Sequence, residues 1–369
     1  MKILVWGNTF PLVGGIERFV DDLARGLSRR GHDILVLSDG KRVETIDDRP
    51  YRLQTVPMAE PILESNPAQV LATVMAARRA IKTFAPDVIH CNPSGLETPI
   101  LVLAALNAGI PLATTVHMDL SLPNVAELGG TLAKVIEASS RVVAVSRHVQ
   151  ALAIRTAIFR NHDVGLIENA LPVKTGFLPP PPGKTILCLG RLVREKGMDL
   201  MIAAMPEILR EHPEAILQIG GAGPETKTLK AQIEASGLSR SVELLGWIQP
   251  EDVHEKMKAV QIVGFPSRWQ EPFGLVAFEA ALAGRPCVAF NVGGLSSIIE
   301  PGITGELAQP EDTSDLAGKI NALLSDPARA SRLGANALER YKSGVEFEAM
   351  LDQYEVLFDD LASGAVSAV

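Results

Sequence analysis

Short apolar runs alternate with amphipathic helical patterns along almost the whole of this 369-residue sequence. The runs KILVWG and DILVLSD have the composition of buried strands, and GIERFVDDLARGLSRRG between them has helical spacing and a glycine stop. Strands that alternate with helices favour parallel sheets covered by helices on both faces. We therefore predict an α/β fold, with further strands at DVIHC, PLATTVH, RVVAVS, TILCLGR, AILQIGG, SVELLGW, QIVGF and PCVAF.

The chain is longer than a single hydrophobic core usually allows, so two domains are expected. The segment LPVKTGFLPPPPGK contains a proline run at 179–182 that acts as a semi-rigid connector. We place the domains at 1–172 and 183–345, and a terminal helix at about 346–369 is available to pack back on the first domain. Ligands of such sheets bind beyond the carboxyl ends of the strands, so the site is expected in a cleft between two facing sheets.

Composition narrows the class of function. A hydrophobic content of 47% with 21% charged residues is typical of a folded globular protein, and no apolar run reaches the roughly 18 to 20 residues of a membrane span. Cys91, Cys188 and Cys287 have no paired spacing, so we expect reduced, buried thiols in a cytoplasmic protein. The net charge of −8, without a basic stripe, argues against a nucleic-acid partner.

The acidic excess comes from the second half of the chain, because the first half balances its charges. Within the first half, Arg78, Arg79 and Lys82 follow an apolar helical stretch, VLATVMAA. Such a cluster is most often a solvated helix face. It also leaves open a weak peripheral contact of the N-terminal domain with anionic lipid on the inner face of a membrane.

The segment from Phe265 to Leu307 carries the strongest functional signal. A loop carboxylate, Glu271, precedes the turn Pro272-Phe273-Gly274, and a second carboxylate, Glu279, follows in a helix. A strand that leads into a helix N-terminus directs free N–H groups and partial positive charge at one point, which favours a phosphate. Carboxylates beside it can accept hydrogen bonds from sugar hydroxyls. The apolar neighbours of Glu279 predict a buried carboxylate that needs partners, and the segment predicts a nucleotide-sugar site.

Cations follow the first strand of the second half. Arg191 comes just after TILCLG, and Lys196 lies five residues later, before Gly197. Arg binds phosphate oxygens in a bidentate fashion and Lys supplies a compact charge. The alternative is an ordinary solvated loop, but the position at the carboxyl end of a strand favours function.

Three features of the first half can be interpreted either as structural or as contacts with a ligand. Gly14 and Gly15 lie just before a helix, as in a tight turn or in a loop whose backbone approaches a ligand. His117 ends the strand PLATTV and His90 lies within DVIHC. A lone histidine at such a place is either a hydrogen-bonded structural residue or a ligand contact, and the functional reading is weaker for His90.

Taken in order, these motifs resemble the retaining glycosyltransferases of family 4, which have the GT-B fold of two Rossmann-like, doubly wound parallel-sheet domains. The likeness covers nearly the whole chain. Its most specific part is EPFGLVAFEA followed by GRPCVAFNVGG and GITGEL, supported by PLVGGIERF, TTVHMD, LGRLVREKGMDL and IGGAGPE. Three residues depart from the usual family pattern, namely Asn92, Ala170 and Ser297.

In the second half, the resemblance implies that Arg191 and Lys196 neutralise the diphosphate as it leaves. Glu271 would hold the donor sugar together with the backbone of residues 273–275, which are Phe273, Gly274 and Leu275. Glu279 would bind the ribose hydroxyls.

In the first half, the resemblance places the Gly15 loop near the donor diphosphate and the acceptor. It places His117 near the reacting carbon of the donor sugar. Gly14 and His90 are the candidates for the acceptor side.

The implied reaction moves a hexose from a nucleoside-diphosphate sugar to a hydroxyl group, with retention of anomeric configuration. UDP is preferred to GDP because it is more frequent in the family, and the acceptor is a sugar, a lipid-linked molecule or a small molecule. The sequence contains no D-x-D triplet, so we expect no metal and no other cofactor. Arg191 and Lys196 would take the place of a metal ion.

Two other functions remain open from the sequence. A sugar-nucleotide 2-epimerase shares this architecture and would need groups that abstract a proton at the second carbon of the sugar. A non-catalytic nucleotide-sugar binding protein would tolerate loss of Arg191 and Lys196. A glycoside hydrolase is disfavoured, since a phosphate site would serve no purpose in it.

Overall fold

The computed structural model describes residues 1–7, 14–40, 44–46, 48–93, 95, 97–106, 108–117, 129–172, 179–342 and 345–364. The chain divides into two compact units, the first formed by Met1–Ala170 with Phe347–Val369 and the second by Leu171–Glu346. Each unit is an α/β domain built on a largely parallel sheet, which confirms the predicted fold class. Residues 173–178 of the predicted connector lie outside the described residues.

Fourteen strands are present in the described part of the chain. In the first unit they are β1 Lys2–Trp6, β2 Asp33–Asp39, β3 Glu44–Ile46, β4 Arg52–Val56, β5 Val88–Cys91, β6 Leu112–Val116, β7 Arg141–Ala144 and β8 Val164–Leu166. In the second they are β9 Thr185–Leu189, β10 Ile216–Gly220, β11 Val242–Gly246, β12 Ile262–Phe265, β13 Cys287–Phe290 and β14 Gly305–Ala308.

The described helices of the first unit are α1 Gly15–Arg29, α2 Glu60–Leu63, α3 Pro67–Phe84, α4 Thr98–Ala105, α5 Gly129–Ala138 and α6 Arg147–Arg155. Those of the second are α7 Met198–Glu211, α8 Thr226–Ala235, α9 Val253–Lys258, α10 Leu275–Leu282, α11 Leu295–Ile298, α12 Thr313–Ser325 and α13 Pro327–Tyr341. The last helix, α14, spans Val345–Ser363, and 3₁₀ turns occur at Ala157–Phe159 and Arg194–Lys196.

Both sheets have the strand order of doubly wound folds. The first runs β3-β4-β2-β1-β5-β6-β7-β8 and the second β11-β10-β9-β12-β13-β14. In each sheet the first strand of the unit lies near the middle, so that successive strands extend to one side and then to the other. The order therefore reverses between β1 and β5 in the first sheet and between β9 and β12 in the second. Ligands of open parallel sheets bind beside such points.

The sequence analysis did not predict four of the strands, namely β3, β4, β8 and β14. All of them lie at or near a sheet edge, and in each of them polar residues or glycine interrupt the apolar run. β3 is also antiparallel to β4, whereas every other described pairing is parallel. The first sheet is therefore parallel except at this edge.

Helix α14 packs on the first unit although it follows the second in the chain. Its buried side chains, among them Leu351 and Tyr354, belong to the same apolar cluster as residues of α1 and β1. A Cβ on Gly26 of α1 would lie 2.6 Å from a methyl carbon of Leu351, so the two helices approach closely at this point. Arg30 adds polar contacts, because its guanidinium donates to the carboxylates of Glu348, Asp352 and Glu355 on one face of α14.

None of the described helices has both the length and the apolar character that crossing a bilayer requires. Cys91, Cys188 and Cys287 are all free and buried, as the sequence predicted. They lie within or at the start of strands β5, β9 and β13, where they pack as small apolar side chains.

Replacing Leu351 by Ala should destabilise the first unit by about 2–5 kcal/mol, because a fully buried leucine leaves a cavity. Native-state hydrogen exchange of amides in β1 and β2 measures this unit separately from the second. Val356 on the same helix is 55% exposed, so Val356→Ala should change the free energy of unfolding by no more than about 0.5 kcal/mol. Equal effects of the two variants would contradict this packing of α14.

Candidate functional site

The second sheet brings two loops together at its reversal point. The chain leaves β9 towards β10 on one side, whereas β12 leads towards β13 on the other. Because β9 and β12 are parallel neighbours, the loops that follow them start side by side at the carboxyl edge. One loop carries Arg191 and Lys196, and the other carries Glu271. The fold therefore places these predicted residues at the same edge of one sheet.

Backbone contacts fix these two loops against each other. The backbone N–H of Arg268 donates to the carbonyl oxygen of Glu195 at 2.8 Å. Gly197 has a φ of +66°, and a Cβ at this residue would lie 1.8 Å from the carbonyl oxygen of Pro266. Only glycine allows this approach, which explains the glycine directly after Lys196.

The side chain of Arg268 adds further hydrogen bonds to the contact between these two loops. Two guanidinium nitrogens donate to the two carboxylate oxygens of Asp199, each at 2.7 Å, and another donates to Glu311 at 3.0 Å. Burial alone would raise the pKa of Asp199, but the hydrogen bonds and the charge of Arg268 lower it below its usual value. The paired Arg268 thus holds the two loops in position, a role that the sequence reading did not assign.

Lys196 and Glu271 form an ion pair at the junction of the loops. The ammonium nitrogen of Lys196 donates to Oε1 of Glu271 at 2.7 Å, and the hydroxyl of Ser267 donates to the same oxygen at 2.6 Å. Glu271 is only 6% exposed, whereas the side chain of Lys196 is 22% exposed. The Lys196 nitrogen also lies 5.5 Å from the centre of the Phe265 ring. Partial burial of both charges is tolerated because each has its partner.

Ser267 is a site residue that the sequence did not reveal. It is fully buried, and its hydroxyl, besides its bond to Glu271, lies 3.2 Å from the carbonyl oxygen of Glu195. A serine in a polar loop has no distinguishing pattern, so only the structure could identify it as the second donor to Glu271.

The turn after Glu271 leads into α10. Gly274 precedes the helix with a φ of +97°, and no side chain caps the first turn. The backbone N–H groups at the start of the helix, including that of Leu275, are thus left for an external acceptor. The preceding Phe273 is buried and packs against Phe278 of the same helix. A helix start of this kind, next to the Lys196 and Glu271 pair, is suited to an anionic ligand.

Gly293 and Gly294 form hydrogen bonds with the two residues that precede this turn. The N–H of Gly294 donates to the carbonyl oxygen of Glu271 at 2.7 Å, and the N–H of Gly293 donates to the side-chain oxygen of Gln270 at 2.9 Å. These contacts hold the backbone of Glu271 in place.

Glu279 is less buried than the sequence predicted. It is the fifth residue of the eight-residue helix α10, slightly more than one turn from its start, and it is half-buried. The sequence context predicted a buried carboxylate, and this was wrong because the apolar neighbours face the core on the other sides of the helix. Glu271, which is 6% exposed, is buried more deeply than Glu279.

Arg191 is exposed and stands directly beyond the carboxyl end of β9. Among the described residues, no hydrogen bond or ion pair of its side chain is found. The two predicted cations therefore differ, since Lys196 is held by Glu271 whereas Arg191 remains available to a ligand. Within the same described ranges, no three His, Cys, Asp or Glu side chains form a group that could hold a metal ion.

In the first sheet the corresponding loops follow β1 and β5. Gly15 is the first residue of α1, and Gly14 before it is extended, with a φ of −154°. Residues 8–13, which include Pro11 to Val13 of the predicted loop, lie outside the described part of the chain. The glycine pair thus lies at the start of a helix, as predicted, next to the reversal point of its sheet.

His117, directly after β6, is held by Asn92, directly after β5. Nε2 of His117 lies 2.8 Å from the side-chain oxygen of Asn92, whose amide nitrogen lies 3.5 Å from the carbonyl oxygen of Trp6. Since an amide oxygen only accepts hydrogen bonds, Nε2 carries the proton and Nδ1 is an acceptor. Burial lowers the pKa of His117 to about 3, so the ring is neutral at physiological pH. From the sequence, Asn92 was identified only as a departure from the family pattern and not as the partner of His117.

His90 occupies a core position. It has no exposed surface, its Nε2 is 2.8 Å from the hydroxyl of Thr115, and its ring packs against Tyr354 and Phe358 of α14. Burial, with a smaller contribution from His117, lowers its pKa to about 3. Direct contact with an acceptor would require α14 to move away. Of the two interpretations of His90, that of a hydrogen-bonded structural residue therefore fits.

The two neutral histidines should make the first unit less stable in acid. Their folded-state pKa values of about 3 lie below the unfolded value of about 6.5. The unfolded chain therefore binds more protons in this range, and stability is lost as the pH falls from about 6.5. Each histidine contributes up to about 1.4 kcal/mol per pH unit. In unfolding measurements between pH 6.5 and 4.5, His90→Gln should reduce the slope of unfolding free energy against pH by one histidine's share. An unchanged slope in His90→Gln would contradict this assignment.

Two family models match consecutive parts of this chain. A family model described as Glycosyltransferase Family 4 matches residues 13–174, and one described as Glycosyl transferases group 1 matches residues 175–340. A glycogen synthase of Mycobacterium tuberculosis is 26% identical over 95% of this chain and 92% of the relative. A D-inositol 3-phosphate glycosyltransferase of Acidothermus cellulolyticus is 28% identical over 86% of this chain and 79% of the relative.

Solved structures show the same fold. Sucrose-phosphate synthase from Thermosynechococcus elongatus matches with a TM-score of 0.84 and 23% identity, over 98% of this chain and 99% of the other. HepE from Anabaena, in complex with UDP-glucose, matches with a TM-score of 0.78 and 23% identity, over 97% of this chain and 99% of the other. Together the two family models cover residues 13–340, which include the loops that carry Arg191, Lys196 and Glu271. The chain belongs to the group 1, family 4 glycosyltransferases and is a glycosyltransferase with the GT-B fold.

Proposed function

We propose that this glycosyltransferase moves a hexose from a nucleoside-diphosphate sugar, with UDP preferred to GDP, to a hydroxyl group of its acceptor. The acceptor is a sugar, a lipid-linked molecule or a small molecule, and the reaction retains the anomeric configuration without a metal ion. The observation that carries the proposal is the Lys196 and Glu271 pair beside the uncapped start of α10. This arrangement offers a cation, a fixed carboxylate and free N–H groups to one ligand.

The diphosphate fits the cationic side of this arrangement. Breaking the anomeric C–O bond leaves negative charge on the departing diphosphate, and fixed positive groups aimed at this charge lower the barrier. Lys196 has three N–H donors and directs one of them at Glu271. The other two donors, the exposed side chain of Arg191 and the start of α10 would supply positive charge to the diphosphate without a metal ion.

The donor sugar fits the carboxylate side. Glu271 is held by Lys196 and Ser267 on one oxygen, so its carboxylate has a fixed orientation for sugar hydroxyls. The same two hydrogen bonds make it a weak nucleophile, which favours attack by the acceptor on the face that the diphosphate leaves. Glu279, half-buried one turn into α10, is suited to the ribose hydroxyls of the nucleotide.

The first unit is proposed to contribute His117 and the Gly14–Gly15 turn. Because Asn92 fixes the proton on Nε2, the Nδ1 atom of His117 can accept a hydrogen bond from a hydroxyl of the donor sugar. A neutral ring suits this role next to a carbon that gains positive charge. The first unit would also bind the acceptor.

The relatives give independent support for the donor class. The HepE structures contain UDP, UDP with glucose, or UDP-glucose. Among the curated relatives are a glycogen synthase and a D-inositol 3-phosphate glycosyltransferase. Uridine is thus the base to test first.

The proposal is tested by following nucleotide release from UDP-glucose, UDP-N-acetylglucosamine and GDP-mannose, with and without EDTA and with a panel of acceptors. Arg191→Ala should lower the rate by more than about tenfold, because it removes charge stabilisation of the leaving group without unpairing a buried residue. Lys196→Ala should lower it at least as much, but it also leaves Glu271 buried without its cation. Wild-type turnover should be unaffected by EDTA.

Arg194→Ala is the matched control, since Arg194 is an exposed arginine three residues after Arg191. An equal loss in Arg194→Ala, or an unchanged rate in folded Arg191→Ala, would remove Arg191 from the mechanism. Proton NMR of the product should show the anomeric configuration of the donor. An inverted product would contradict retention, and conversion of the donor to its 2-epimer without transfer would favour the epimerase.

A further inference from the structure

Two side-chain hydrogen bonds join the carboxyl ends of β5 and β6 on one face of the first sheet. One connects Nε2 of His90 to the hydroxyl of Thr115, and the other connects Nε2 of His117 to the side-chain oxygen of Asn92, each at 2.8 Å. Residues two apart along a strand point to the same face, so each strand supplies one member of each pair. We call these four residues the polar ladder. The pair that contains His117 is thus the direct neighbour of a second pair that has no exposed surface.

Thr115 connects this inner pair to the last helix of the chain. Its hydroxyl lies 3.0 Å from the hydroxyl of Tyr354 on α14, and both side chains are fully buried. Among the described residues, Nδ1 of His90 has no hydrogen-bond partner, so Thr115 is the residue there that fixes this ring through a hydrogen bond. Helix α14 is therefore tied to the polar ladder by a polar contact as well as by apolar packing.

Phe19 of α1 adds a second connection between α14 and His117. The centre of its ring lies 4.6 Å from the centre of the His117 ring, in an edge-to-face arrangement. It also lies 5.9 Å from the ring of Tyr354 and 6.4 Å from the ring of His90. A single hydrogen bond to Nε2 leaves an imidazole free to tilt, and an aromatic ring packed against it restricts that motion. The orientation of His117 thus depends on neighbours that are themselves held by α14.

We propose that Thr115, held by Tyr354 of α14, is a positioning residue that sets the orientation of the His117 ring. Both residues are fully buried, so they act through the polar ladder and not by contact with a substrate. Loss of the inner pair lets the ends of β5 and β6 shift, and Nδ1 of His117 shifts with them. A misplacement of about 1 Å can lower a rate about 100-fold. The effect on transfer rests on the proposed contact of His117 with the donor sugar.

Thr114 provides a matched control on the same strand. Its hydroxyl lies 2.8 Å from that of Ser139, and Thr114 is as fully buried as Thr115. Because neighbouring residues of a strand point to opposite faces, this pair lies on the other side of β6 from the polar ladder. Thr114→Val and Thr115→Val each replace a buried, hydrogen-bonded hydroxyl by a methyl group. Both variants should lose some stability, but only Thr115→Val disturbs the ladder.

The test measures transfer at saturating donor and acceptor, and UDP binding, in the full chain. Thr115→Val and Tyr354→Phe should lower kcat at least about fivefold and change the dissociation constant of UDP less than about twofold, because UDP lacks the sugar that His117 would contact. Thr114→Val should keep the wild-type kcat. An equal loss of kcat in Thr114→Val, or a wild-type kcat in folded Thr115→Val, would overturn the proposal.

A double-mutant cycle with His117→Ala separates positioning from a general loss of structure. If Thr115 acts through His117, then Thr115→Val should lower kcat no further in a chain that already carries His117→Ala. Losses that multiply in the double variant would show that Thr115 acts independently of His117, and would overturn the proposal.

Nitrogen-15 NMR of the histidine rings tests the positioning without reference to activity. The Nε2–H signal of His117 should shift or broaden in Thr115→Val and in Tyr354→Phe, and it should stay unchanged in Thr114→Val. An unchanged signal in all three variants would overturn the proposal. If the signal changes as expected but His117→Ala transfers sugar at the wild-type rate, the positioning of His117 is supported and its proposed contact with the donor sugar is contradicted.

Discussion

The ion pair between Lys196 and Glu271 is the interaction on which the candidate site depends. It joins the loop after β9 to the loop after β12, and these loops meet because their strands are neighbours at the reversal point of the sheet. The surrounding contacts serve the same junction, since Arg268 holds the loops together and Ser267 adds a second donor to Glu271. A partly buried charge pair of this kind is stable only while both members are present. Loss of Lys196 would therefore leave the buried carboxylate of Glu271 without its cation.

The two units share one sheet topology but differ in the polar residues that lie where the strand order reverses. Each sheet reverses its strand order once in the middle, and each places polar residues at that carboxyl edge. In the second unit these residues are charged and face a helix start, which suits an anionic diphosphate. In the first unit they are the neutral His117 and its amide partner Asn92. Under the proposed function, the charged group would bind the departing diphosphate and the neutral group would contact the donor sugar.

Much of the fold was predictable because buried parallel strands produce continuous apolar runs. The runs at β1, β2, β9, β12 and β13 were all recognised, whereas the short strands at or near the edges were missed because polar residues or glycine interrupt their apolar pattern.

The site was predictable where a residue type is unusual for its place, as with Glu271 after a buried strand. The contribution of Ser267 and Arg268 was not predictable, because it depends on which loop of a distant strand lies opposite. The burial of Glu279 was overestimated, since apolar neighbours in sequence do not show which face of a helix meets the core.

The central claim is that the second unit binds a nucleoside diphosphate through its own cations. Thermal unfolding of the wild-type protein with saturating UDP, GDP and ADP, each with and without EDTA, tests it most directly. A ligand present at about 100 times its dissociation constant should stabilise the folded state by roughly 2.7 kcal/mol. We expect a rise in the melting temperature with one nucleotide, UDP, that EDTA leaves unchanged. No shift with any nucleotide, or a shift that EDTA abolishes, would contradict the account.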